Sequence, residues 1–234
     1  MNFTSSFSDY NVFNKKVKYD KNKYPFSNLV EKIYDCSLCN IHTLTDKNYP
    51  LFTVLGKDTH TNLHKKFYNH IDTVDSTLKE LYKEFIKEVI FPYLNLKEGL
   101  YQVFPTYRIM LPNNVAVTKK HYDSDRDHLH PKGEINFILS LTDMYDTNSI
   151  WAESYPRLGD FKPFSLLPGD VYCFCGNLCE HFNKINKTGK TRVSMDFRIL
   201  PLHCVDKINH TLSVTTGKKF SEGGYYNKLI INNK

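Results

Sequence analysis

The sequence predicts a mainly β chain with flanking helices, its strands wound as a double-stranded β-helix, the jelly roll of cupin-like proteins. Three observations lead there. From residue 101 onward the chain breaks into short alternating apolar runs separated by turn residues. One long amphipathic segment precedes them. The length of 234 residues, with 41% hydrophobic and 14% aromatic content, suits one domain with a real core and excludes a disordered chain. The expected layout is a single domain over 1–234. A partly helical flank fills 1–100, the jelly-roll core 101–205 and a C-terminal extension 206–234.

Residues 1–70 are polar, with short apolar clusters, and predict loops, a short helix near 28–34 and one strand. His60, His64 and His70 fall at helical or loop spacings and are read as surface residues. The clear helix spans 72–91, where Val74, Leu78, Leu81, Phe85 and Val89 mark one apolar face. Asp72, Thr73 and Asp75 suit its start, and Pro92 its end. Strands follow at 101–111, 115–122, 134–141 and 149–153. A Leu167-Pro168-Gly169-Asp170 turn leads into a strand at 171–175, and a last strand occupies 191–200.

The formal net charge is +6, but the lysines are scattered and no basic run is interleaved with aromatics, so a nucleic-acid surface is not supported. No apolar stretch approaches membrane-spanning length and residues 1–10 lack a secretory pattern, which makes the expected location cytoplasmic. Six cysteines in such a chain are expected to be reduced. Cys36-x-x-Cys39 has no second such pair, so structural thiols are favoured over a metal site.

The chemistry centres on His121-Tyr122-Asp123. Residues i and i+2 of an extended segment face the same way, so His121 and Asp123 can share one metal. His181, from a distant strand, would complete a two-histidine, one-carboxylate set that leaves one face of a six-coordinate Fe(II) open. Arg192 follows eleven residues later, with Ser194 on its face of the strand, and suits a carboxylate anchor. Metal, open positions and an anchor are the requirements of a 2-oxoglutarate-dependent oxygenase. His128 and His130 stand as rivals to His121, and Arg108 and Arg198 as rivals to Arg192.

The runs His121-Tyr122-Asp123-Ser124-Asp125, His130-Pro131-Lys132-Gly133-Glu134-Ile135-Asn136-Phe137 and Leu141-Thr142 resemble the iron(II) and 2-oxoglutarate dioxygenases. The branch they are most similar to is that of the streptomycin-biosynthesis dioxygenase-like proteins, related to the phytanoyl-CoA hydroxylase group. Residues 147–154, 191–198 and Gly223-Gly224-Tyr225-Tyr226 extend the likeness to roughly 100–226. It implies His121, Asp123 and His181 as iron ligands, Arg192 as the 2-oxoglutarate anchor, and Fe(II), 2-oxoglutarate and O2 as cofactors. The implied reaction is hydroxylation of a C–H bond with release of succinate and CO2; desaturation, epimerisation and ring closure use the same ligands. The retained Asp123 argues against halogenation. Phe182 departs from the small residue the branch carries after the distal histidine, which puts the width of the pocket in doubt.

The expected substrate is a small polar molecule: an amino acid, an amino sugar or a natural-product intermediate. Asn136, Asn148, Trp151, Glu153, Asp125 and Arg108 are the candidate contacts, with 143–154 as a lid over the mouth. A nucleic-acid or protein demethylase on the same fold, and a non-catalytic cupin-like metal-binding protein, are the alternatives.

Overall fold

The structure is a computed structural model that describes residues 10–45, 61–73, 76–116, 119–214 and 216–231. Two sheets face each other. The large one runs β1 (Lys15–Lys18), β7 (Asp170–Phe174), β4 (Ile135–Ser140), β9 (Arg192–Pro201), β2 (Glu98–Gln102) and β10 (Tyr226–Ile230), with β3 (Thr106–Met110) also paired to β9. The small one is β6 (Lys162–Pro163), β5 (Ile150–Ala152) and β8 (His181–Asn183). All the named pairings are antiparallel. Alternation along the strands sends one set of side chains into the space between the sheets and the other towards the helices. This is the jelly roll that the strand pattern predicts.

Three helices pack on the outer face of the large sheet. They are α1 (Phe26–Tyr34), α2 (Asn62–Ile71) and α3 (Thr77–Phe85). Phe85 and Phe26 bury against the outward residues of β4 and β9, including Phe137, Val193, Met195 and Phe197. The Phe137 and Phe197 rings stack 5.2 Å apart across those strands, and Phe67 of α2 stacks on Tyr107 at 3.8 Å. A second apolar cluster, with Ile138, Ile150, Ala152, Phe164 and Phe174, fills part of the space between the sheets.

The helix expected over 72–91 starts later. Ser76 caps it by accepting the Lys79 N–H, and Asp72 instead closes α2, its N–H donating to Tyr68 O. Val74 and Asp75 lie outside the described residues. The buried face is Leu78, Tyr82, Phe85, Ile86 and Ile90, with Leu81 and Val89 partly buried at its margin. A π turn at Ile86–Ile90 lets Phe91 N–H reach Ile86 O, so the chain passes Pro92 and completes a final turn at Phe91–Tyr93. His64 is not on the surface: it is buried in α2, its Nδ1 on Thr61 Oγ1 at 2.5 Å. His70 is exposed, and His60 lies outside the described residues.

The strand expected at 101–111 is two strands, and residues 103–105 bulge from β9 around Pro105, which has no N–H to donate. The bulge shifts the register by two, so inward parity survives and Gln102, Thr106 and Arg108 share a face. Of the strand expected at 115–122, residues 117–118 lie outside the described residues, and the others form only a single bridge, from His121 to His181. Cys36 and Cys39 are free, partly buried thiols, and neither joins a group of ligands able to hold a metal among the described residues.

Candidate metal centre

Three ligand side chains meet where the sheets face each other. His121 N–H donates to His181 O at 3.2 Å, and His181 N–H returns the bond at 2.8 Å. This bridge sets the two rings 4.5 Å apart. Each Nδ1 lies against a backbone carbonyl, Lys119 O at 2.8 Å and Cys179 O at 3.0 Å. A carbonyl only accepts, so each Nδ1 carries the proton and each Nε2 presents a lone pair. Burial, together with the neighbouring His181, pushes the His121 imidazole down to about 3 against the attraction of Asp123, which keeps it neutral. Asp123 Oδ1 lies 3.7 Å from His121 Nε2 and 3.6 Å from His181 Nε2. Two imidazole nitrogens and a carboxylate oxygen thus border a gap suited to one divalent ion with bonds of about 2 Å. The donor set fits iron(II).

The other oxygen of Asp123 is fixed from behind. Asn136 Nδ2 donates to Oδ2 at 2.6 Å, and Arg198 donates through Nη2 at 2.9 Å and Nε at 3.2 Å. Burial opposes ionisation of Asp123, but the Arg198 guanidinium, aided by the surrounding histidines, holds the carboxyl well below the usual range. Gly176 makes this clamp fit. A Cβ there would stand 2.9 Å from the Asn136 amide and 2.6 Å from the Phe174 ring. Gly176 O in turn accepts the Asp123 N–H at 2.9 Å.

Further along β9, Arg192 shares the inward face with Arg198. Its side chain is buried, donating to Asn148 O at 3.0 Å, to Ser194 Oγ at 2.8 Å and to Met110 Sδ at 3.5 Å.

No family model matches the chain. It is similar to the streptomycin biosynthesis protein StrG of Streptomyces griseus, 28% identical over 215 residues that span 92% of this chain and 98% of StrG. Among solved structures, CytC3 with Fe(II) and α-ketoglutarate aligns with 86% of this chain and 79% of its own, at 16% identity and a TM-score of 0.47. AviO1 from Streptomyces viridochromogenes Tue57 aligns with 87% of this chain and 98% of its own, at 13% identity and a TM-score of 0.52. The AviO1 likeness concerns the fold, a jelly roll with His121, Asp123 and His181 between its sheets.

The other sequence candidates divide on this fold. Asn136 faces inward, but its amide holds Asp123 and so orients a candidate metal ligand. Arg108 also faces the barrel interior, paired to Asp196 at 3.1 Å. Asn148 does not offer its side chain: Oδ1 accepts Tyr145 N–H and Nδ2 donates to Asp143 O, so only its carbonyl meets Arg192. Trp151 has the opposite strand parity to Ile150 and Ala152. Its Nε1 donates to Asp146 O, and Lys184 Nζ lies 3.3 Å over its ring, on the outer face of the small sheet. Phe182 points outward too, edge-on to Phe161, so it does not narrow the barrel. Glu153 is turned into its own loop and accepts from Arg157, Gly159 and Glu180 N–H. Asp125 caps a turn by accepting Asp127 N–H, His128 N–H and His128 Nδ1–H. His128 stacks 4.2 Å from the His121 ring, and His130 Nδ1 donates to Glu134 Oε2 at 2.8 Å. Asp123, His130 and Glu134 also cluster, but with Oδ2 of Asp123 on Arg198 and Glu134 bonded to both His130 and Tyr226, that cluster is internally satisfied.

Arg198 is the functional residue that sequence reasoning placed only as a substitute anchor. Its even spacing from Arg192 was the available signal. The partner, Asp123, became evident only when the strands were assembled.

Proposed function

We propose that the chain is a 2-oxoglutarate-dependent non-haem iron oxygenase that hydroxylates a small polar molecule, such as an amino acid, an amino sugar or a natural-product intermediate. One observation carries this. Two histidine Nε2 atoms and one oxygen of a clamped carboxylate converge between two sheets. Iron(II) and 2-oxoglutarate bound there supply oxidative decarboxylation to succinate and CO2, coupled to insertion of oxygen from O2 into a C–H bond. His121, Asp123 and His181 would hold the metal. Arg198 and Asn136 keep Asp123 oriented with one oxygen forward. Arg192, steadied by Ser194, would receive the far carboxylate of 2-oxoglutarate. The apolar residues between the sheets, Ile150 and Phe174 among them, exclude water from one side.

The natural-product reading is supported by the name of StrG. Among the described residues no helix is long and apolar enough to cross a membrane. We place the chain in the cytoplasm, acting on a free small molecule and not on nucleic acid. The test is a screen for succinate release with iron(II) and 2-oxoglutarate across amino acids, nucleotide sugars and aminocyclitols. A metal-dependent rise with one class supports the assignment; metal-independent or absent turnover of 2-oxoglutarate counts against it.

A further inference from the structure

Between the two arginines, the inward face of β9 carries one more charge. Asp196 lies two residues from Arg198 and four from Arg192, and sits in register between Thr106 of β3 and Ile138 of β4. Its Oδ2 accepts from Arg108 Nε at 3.1 Å, and each side chain of this pair is 13% exposed. Its Oδ1 is buried and, among the described residues, has no hydrogen-bond partner. The neighbours on the same face are committed elsewhere: Arg198 to Asp123, and Ser194 to Arg192. Ile138, beside Asp196, belongs to the apolar cluster between the sheets. A buried carboxylate oxygen without a donor is costly, and a ligand that brings the donor recovers that cost.

The charge of the lining does not oppose a cation. Arg108, Arg192 and Arg198 are balanced by Asp123, Asp196 and Glu134, with the histidines counted as neutral. Iron(II) and the 2-oxoglutarate dianion cancel each other.

We propose that Asp196 is the specificity-determining residue of this site, receiving an ammonium or guanidinium group of the substrate while Arg108 holds the carboxylate towards the cavity. A charged N–H donor is favoured over a hydroxyl because bonds between ionised partners are about twice as strong as neutral ones. The assignment rests on the oxygenase reading and names the substrate class within it.

The test uses the visible charge-transfer band of iron(II) with 2-oxoglutarate, formed without oxygen. Substrate binding beside the metal shifts that band. Wild type is titrated with two matched pairs, glucosamine against glucose and 4-guanidinobutyrate against 4-ureidobutyrate. The cationic member of a pair should shift the band at a concentration about tenfold or more below its neutral partner. Asp196→Asn should equalise the two members in samples that form the band. If the band forms and neither pair discriminates, or if Asp196→Asn keeps the preference, the assignment is overturned while the oxygenase reading stands. If wild type forms no band, the oxygenase reading itself fails and takes this assignment with it.

Discussion

Arg192 and Arg198 lie on the same strand, on the same face, six residues apart, and both are buried. Arg198 is bonded to a carboxylate of its own chain, whereas Arg192 is gripped by a carbonyl, a hydroxyl and a thioether. The same side chain therefore serves two ends of one barrel. At the candidate metal centre it fixes Asp123; at the other end, in the function proposed above, it would present a cation to an incoming carboxylate. Residue type and parity are common to both, and the difference lies in what the neighbouring strands bring opposite.

The largest effects should come from the ligands themselves. His121→Ala, Asp123→Ala and His181→Ala should each lower iron affinity by more than the ten- to hundredfold typical of residues behind the ligands, with circular dichroism unchanged. Iron retained in His121→Ala would move the site to His128 or His130.

The two arginines should then separate by phenotype. Arg198→Ala leaves a buried carboxylate without its cation, so a loss of about 3–5 kcal/mol of stability is expected by denaturant unfolding. Iron affinity should fall ten- to hundredfold as well. Arg192→Ala should keep iron and weaken 2-oxoglutarate by about 2–5 kcal/mol in apparent affinity. Arg192→Lys should recover part, since a point charge does not reproduce the fork. Equal 2-oxoglutarate affinity in Arg192→Ala and wild type would erase the contrast and point to Arg108.

A smaller effect separates the metal end by pH. His121 has a folded value near 3 against an ordinary 6.5, the direction in which the unfolded chain binds the extra proton. Asp123, held low by Arg198, acts in the same direction. Stability of the metal-free protein is therefore full above about 6.5 and declines as pH falls from there towards about 3. Between pH 7.5 and 5.5 the His121 contribution is roughly 1 kcal/mol, readable as a fall in Tm that His121→Gln removes. The least disturbed variant for the metal should be Glu153→Gln. It should cost about 1–3 kcal/mol of stability through the loop N–H groups it serves and leave iron and 2-oxoglutarate binding intact.

Much of this was legible from the sequence because it was local. His-x-Asp, the alternation in 192–199 and the Leu167–Asp170 turn each declare themselves within a few residues, and the structure places them accordingly. What failed was non-local. Trp151 and Glu153 looked like lid residues, yet strand parity sends Trp151 outward, and three backbone donors turn Glu153 inward to its loop. The start of α3 was misread because Asp72 fits a helix start as well as the helix end it occupies. Asn136, expected as a substrate contact, faces inward but is bonded to Asp123, which arrives from an irregular segment that no periodicity announces.

The most direct test of the metal centre is an oxygen-free titration of wild type and His181→Ala with iron(II), then 2-oxoglutarate, followed in the visible region. The account predicts a charge-transfer band in wild type that saturates at one equivalent of each and is missing from folded His181→Ala. A folded wild type without the band, or a His181→Ala protein that retains it, would contradict the account.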